Sequence, residues 1–177
     1  MKLSLLIISA IISTQIFLNA GTVSKSVNAP VTASEELFRA GEIQVDAYFA
    51  GVAESDGFLP GWGGGAGLNY YLTRYIGLGI EQDVFGKKGG SLAHWGTSAH
   101  LFLRYPIESL RLAPYAVVGG GTCYASGLTG HGSGDVGGGV EYRFNRNLGL
   151  FSEARYFYSA ELPRNSVIYR TGFRFVF

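Results

Sequence analysis

The sequence closes at residues 165–177 on NSVIYRTGFRFVF. At period two, Val167, Tyr169, Thr171, Phe173, Phe175 and Phe177 fall on one side, and Ile168, Arg170, Gly172, Arg174 and Val176 on the other. Such alternation is the pattern of a β-strand with two unlike faces. In a soluble sheet the polar face meets water and the apolar face meets a core. Here the apolar face is aromatic and the polar face carries arginine. The stretch alone does not say which side is the interior, but the rest of the chain does.

The same period runs upstream. EIQVDAYF (42–49), GAGLNYYL (65–72), YIGLGIEQD (75–83), TSAHLFLRY (97–105), DVGGGVEYRF (135–144) and LGLFSEARYFY (148–158) each show one face of aliphatic and aromatic residues. The other face carries charge, histidine or glycine. APYAVVGGGTCY (113–124) is apolar on both faces, and its pattern is read with Tyr115, Val117 and Gly119 outward. With the closing stretch these make eight strands. TRY (73–75), PIESLR (106–111) and NRN (145–147) are short connections. AESDGFLPGW (53–62), GKKGGS (86–91), ASGLTGHGSG (125–134) and SAELPRNS (159–166) are longer and rich in Gly, Pro and Ser. Alternating short and long connections describe an up-and-down antiparallel meander. Eight strands of roughly ten residues match the smallest transmembrane β-barrels, and a closed barrel is the one sheet that lipid permits. The expected fold is therefore all-β, an eight-stranded antiparallel up-and-down transmembrane β-barrel. Tyr70, Tyr71, Tyr75, Tyr105, Tyr115, Tyr142, Phe144 and Phe177 cluster by the short turns as an aromatic girdle.

Composition agrees. Of 177 residues, 47% are hydrophobic and only 15% charged, with 14% aromatic and 27 glycines. That is poor in charge for a soluble domain. A formal net charge of +1 gives no electrostatic case for nucleic acid. Residues 1–20, with Lys2 before LSLLIISAIISTQIFL, read as a signal peptide cleaved after Ala20. Residues 21–41 read as a flexible tail with little order before Gly41, apart from a helical turn at 34–39. The barrel domain is 42–177. No other stretch approaches the length of a spanning helix. Cys123 is the only cysteine, a small packing residue with no disulfide partner.

In this frame the aromatic stripe faces lipid, and Glu42, Asp46, Glu81, Asp83, His100, Arg104, Glu141, Arg143, Glu153, Arg155, Arg170 and Arg174 point into the lumen. An eight-stranded barrel has an interior just filled by side chains. The expectation is a ladder of acid–arginine pairs. Strand eight must pair with strand one, so Glu42 and Asp46 are the first candidates for Arg170 and Arg174, with Glu153 a further one. Inward Gly65, Gly67, Gly77, Gly79, Gly137 and Gly139 leave room for long side chains opposite.

NYYLTRYIGLGIE, PYAVVGGG, GGGVEYRFNRNLGLFSEARYFYS and YRTGFRFVF resemble the outer-membrane β-barrel family that includes the OmpA transmembrane domain and its small opacity-type relatives. The resemblance covers roughly residues 42–177. It implies a bacterial outer-membrane location and assembly by the barrel-assembly machinery. Tyr169, Phe173, Phe175 and Phe177 would carry the recognition signal for that machinery. It implies no cofactor, and partners limited to the lipid bilayer, the assembly machinery and an unidentified surface ligand.

Other motifs carry less. Gly132–Gly137 spells G-x-G-x-x-G, but a strand rather than a helix follows, so it reads as loop and strand. GWGGGAG (61–67) is a loop end and a small-residue face. His94 and His100 sit roughly 20 Å apart on one strand, too far to share a metal; His100 reads as part of the lumen network and His131 as a loop residue. Lipid A deacylases resemble this layout and use a His–Ser pair beside a carboxylate. Here Ser159 and Glu161 are present, but Phe157 stands where that imidazole would be, so no enzyme is expected. Phe58, Leu59, Trp62, Lys87 and Lys88 offer a rim for an adhesin, or Trp62 anchors at the outer interface. A soluble lipocalin-like carrier would need the apolar faces inward. The preferred role is a structural envelope barrel with a packed polar lumen.

Overall fold

The computed structural model describes residues 36–53, 61–86, 92–125, 130–159 and 166–177. Eight strands follow in order: β1 (Ile43–Ala53), β2 (Trp62–Tyr71), β3 (Ile76–Gly86), β4 (Leu92–Arg104), β5 (Leu112–Ala125), β6 (His131–Arg143), β7 (Leu148–Ser159) and β8 (Ser166–Val176). Every neighbour pairs antiparallel, and β1 pairs with β8, so the sheet closes into a barrel. Phe177 N–H donates to Ile43 O at 2.9 Å, and Ile43 N–H to Phe177 O at 3.2 Å, at the end of that seam. Closure leaves no long sheet edge. No helix among the described residues is long and apolar enough to cross a membrane.

The short connections are tied locally. Thr73 Oγ1 accepts from the N–H groups of Tyr75 and Ile76, and Asn145 Oδ1 from those of Asn147 and Leu148. Both are side chains that close a turn on the backbone. The third carries a single 3-10 turn, Glu108–Leu110, ended by Arg111 at φ 56.

Burial answers the question posed by the closing strand. Phe173 is 52% exposed and Phe175 43%, while Arg170 is 4% and Arg174 1% exposed. The barrel is inverted relative to a soluble one. Ile43, Phe49, Leu68, Leu78, Ile80, Leu103, Val136 and Tyr156 are exposed on the outer wall; Glu42, Asp46, Glu81, Arg104, Glu141 and Arg143 are buried.

Four expectations need correction. Tyr115 and Val117 point inward, at 6% and 2% exposure, and Gly119 faces His100 inside. β5 is apolar on both faces, so its period carried no polar mark. Tyr71 and Tyr115 consequently leave the short-turn girdle, where Tyr70, Tyr75, Tyr105, Tyr142, Phe144 and Phe177 remain exposed. His131 opens β6 and is buried, so β6 begins before Asp135 and takes in the whole G-x-G-x-x-G run. Lastly, order begins before Gly41: Leu37 and Phe38 are buried and pack with Ala113.

Candidate functional site: the ion-pair lumen

Alternation carries charge inward, and large residues alternate with glycine across the strands. A Cβ on Gly77 would lie 2.9 Å from the Tyr71 ring, one on Gly79 3.0 Å from the Phe102 ring, and one on Gly149 3.1 Å from Arg143 Cδ. The first approach is closer than a Cβ comes to its neighbours and the other two are tighter than most, so the glycines are the space that the big residues fill.

The charges form two clusters. The first lies toward the short turns. Arg174 grips Asp46 through two parallel bonds of 2.7 and 2.6 Å and reaches Glu141 at 2.7 Å. Register alone sets the first contact, because Asp46 and Arg174 are cross-strand partners. Arg143 binds Glu42 at 2.9 Å and is paired with Glu141; Arg104 is paired with Glu42. Asn69 donates to Asp46 at 2.9 Å and Gln44 to Glu42 at 2.6 Å. Three carboxylates thus meet three guanidiniums.

The second cluster lies toward the long connections. Arg155 holds Glu81 through two bonds of 2.9 Å and lies 2.8 Å from Glu153. Arg170 bridges Glu81 at 2.8 Å and Glu153 at 2.9 Å, with Asp83 at 3.5 Å. Tyr115 donates to Glu153 at 2.8 Å and Tyr48 to Asp83 at 2.6 Å. His100 Nε2 lies 2.9 Å from Asp135 and its Nδ1 3.4 Å from Glu81. Four carboxylates meet two guanidiniums and one imidazole here, so the charge of the lumen is uneven along its length.

Aromatic rings line the guanidiniums. Arg104 lies 3.7 Å over Tyr71, Arg170 3.7 Å over Tyr48, and Arg174 4.8 Å over Phe151. Desolvated cation–π contacts of this kind are worth about 2 kcal/mol or more each. Arginine suits the site because its planar fork meets carboxylates in pairs and stacks on rings.

The structure brings together in these two clusters all of Glu42, Asp46, Glu81, Asp83, Arg104, Glu141, Arg143, Glu153, Arg155, Arg170 and Arg174. Partner choice differs in part from expectation. Asp46 serves Arg174 and Glu153 serves Arg170, but Glu42 serves Arg104 and Arg143 across the lumen. Asp135, on the same period-two face of its stretch as Glu141, also belongs to the network through His100 and Arg155. Tyr48 and Tyr115 were missed because aromatic residues mark both faces.

Ser159 is buried, and its hydroxyl lies 3.4 Å from Gly132 O and 3.8 Å from Cys123 Sγ. Neither contact is the general base that nucleophilic catalysis requires. Glu161, Phe58, Leu59, Lys87 and Lys88 lie outside the described residues, as does residues 1–20, the expected signal peptide. Trp62 is 65% exposed and stacks on Phe49, with ring centroids 6.4 Å apart. Trp95 and Tyr124 stack at 4.3 Å at the same end. These rings form a second aromatic level near the long connections.

No family model and no curated protein sequence matches the chain. Solved structures do. The N-terminal β-barrel domain of Pseudomonas aeruginosa OprF is 18% identical, with a TM-score of 0.60, over 78% of this chain and 99% of that one. Neisserial surface protein A is 16% identical, with a TM-score of 0.61, over 76% and 95%. The outer-membrane protein OprG of Pseudomonas aeruginosa is 14% identical, with a TM-score of 0.57, over 78% and 97%. At such identities the likeness is one of fold. The shared fold is a small, closed eight-stranded antiparallel barrel, the one these outer-membrane proteins adopt.

Proposed function

We propose that the protein is an integral bacterial outer-membrane barrel with a structural, envelope role. The supporting observation is the inverted burial: charged residues inside, aliphatic and aromatic residues outside. A charge-filled interior inside an apolar wall is stable only where the wall meets lipid. Aromatic levels near both strand ends suit the two membrane interfaces, where such rings settle. The dense ion-pair packing favours a support role over that of a wide diffusion pore.

In this reading residues 1–20 direct export and are removed. The short turns and both chain termini lie in the periplasm. Tyr169, Phe173, Phe175 and Phe177 are the handle for the barrel-assembly machinery. The decisive experiment is membrane fractionation with a heat-modifiability gel. Outer-membrane recovery is expected, with boiled and unboiled samples migrating differently. Identical migration together with recovery from the periplasm overturns the reading. In planar bilayers a low conductance is expected; a large, steady conductance would contradict a packed lumen.

A further inference from the structure

The segment just before β1 makes contacts that barrel closure does not require. Phe38 is fully buried between two lumen guanidiniums, 5.1 Å from Arg104 and 4.9 Å from Arg143. Arg104 is thereby held between the rings of Phe38 and Tyr71. Leu37 O accepts from Arg143 Nη1 at 3.2 Å, and Leu37 N–H donates to Glu108 at 3.2 Å. Arg39 N–H donates to Glu42 at 3.2 Å. Outside, Arg74 bridges Glu36 at 2.9 Å and Glu108 at 3.0 Å. Gly41, at φ 78, makes the bend that turns the chain from this segment into β1, and its N–H donates to Tyr71 O at 2.7 Å. The positive φ favours glycine at that bend.

We propose that residues 36–41 are a strap that closes the short-turn mouth of the lumen, with Phe38 as its stopper, and that the strap is a gate. Three features carry this. The stopper lies on the charged pairs nearest that mouth, since Arg104 and Arg143, at the short-turn ends of β4 and β6, both bind Glu42. Its outer fastening, Glu36–Arg74–Glu108, is part-exposed and open to competition by water and salt. The strap is held by side chains and single backbone bonds rather than by a strand ladder, so it can lift without unzipping the barrel. When it lifts, water and small ions reach Glu42, Arg104 and Arg143. When it is seated, they do not.

The test uses the full barrel reconstituted in liposomes. Cys123→Ala removes the native thiol, and Gln44→Cys places a thiol beside Glu42, behind the stopper. Labelling by a small charged methanethiosulfonate then reports access. Slow labelling is expected with the strap intact. Phe38→Ala is expected to speed it at least tenfold, while the heat-modifiability shift persists. Phe38→Leu keeps bulk and loses the ring, and an intermediate rate is expected. Glu36→Gln with Glu108→Gln removes the charges of the outer fastening and leaves Phe38 in place, and faster labelling with stronger salt dependence in the parent is expected. Equal rates in the parent and all these folded variants overturn the gate. Fast labelling of the parent overturns the seal. Neither result touches the membrane location, which fractionation reads separately.

Discussion

At the scale of single residues the lumen is a set of charges largely withdrawn from the surface: the side chains of Glu42, Arg104, Glu141 and Arg143 are fully buried. Taking an ion out of water costs several kcal/mol, which a well-made pair offsets. Removing one partner is therefore severe. Arg174→Leu leaves Asp46 with no guanidinium and weakens the hold on Glu141. A loss of about 3–5 kcal/mol is expected from urea unfolding followed by tryptophan fluorescence. Asp46→Asn in the same chain should recover part of it, and full additivity would mean the pair is not coupled. Glycine gives a second test. Gly79→Val drives a side chain toward Phe102 and Asn69. About 1–3 kcal/mol of overpacking is expected. Gly132→Val, which meets nothing within 4 Å, should change stability by less than about 0.5 kcal/mol.

At the scale of the strand, two faces live in two solvents. Ile80 stands on the outer wall near the middle of β3, beside Leu68 of β2, and both are exposed. Ile80→Arg should cost about 2–4 kcal/mol if that wall lies at mid-membrane. A cost near zero in unfolding measurements would place the wall in water. β8 carries a separate prediction. Phe177 is 69% exposed, yet its backbone makes two bonds to Ile43 at the seam. Deleting it removes the bonds and the ring together, whereas Phe177→Ala removes the ring alone. Both should lower the yield of assembled barrel far more than export or expression. Normal membrane yield of both variants would refute the handle role.

At the scale of the molecule, closure joins these effects. Each strand is held on both sides, and the lumen charges lie behind a continuous hydrogen-bonded wall. Raising salt from 0.1 to 1 M shortens the screening length from about 10 to about 3 Å, but only where ions can go. Unfolding midpoints of the reconstituted protein should therefore barely move with salt. A steep fall would mean that ions enter the resting lumen and would argue against tight packing.

The strand number, the alternation of short and long connections and the membership of most inward faces were legible in the sequence. The reason is local: a strand places successive side chains on opposite sides, so residue type alone reveals the period. Asp46 with Arg174 was legible too, because one seam closes the barrel and register does the rest. The faces of β5 were not, since Tyr115 and Val117 inside and Pro114, Ala116 and Val118 outside are all apolar. Nor was the choice of Glu42 by Arg104 and Arg143, residues 62 and 101 positions away in the chain. That contact depends on how far side chains reach across a closed lumen. Phe38 is the sharpest case. Its sequence surroundings read as a tail, and only the assembled mouth, with two guanidiniums to receive the ring, turns it into interior.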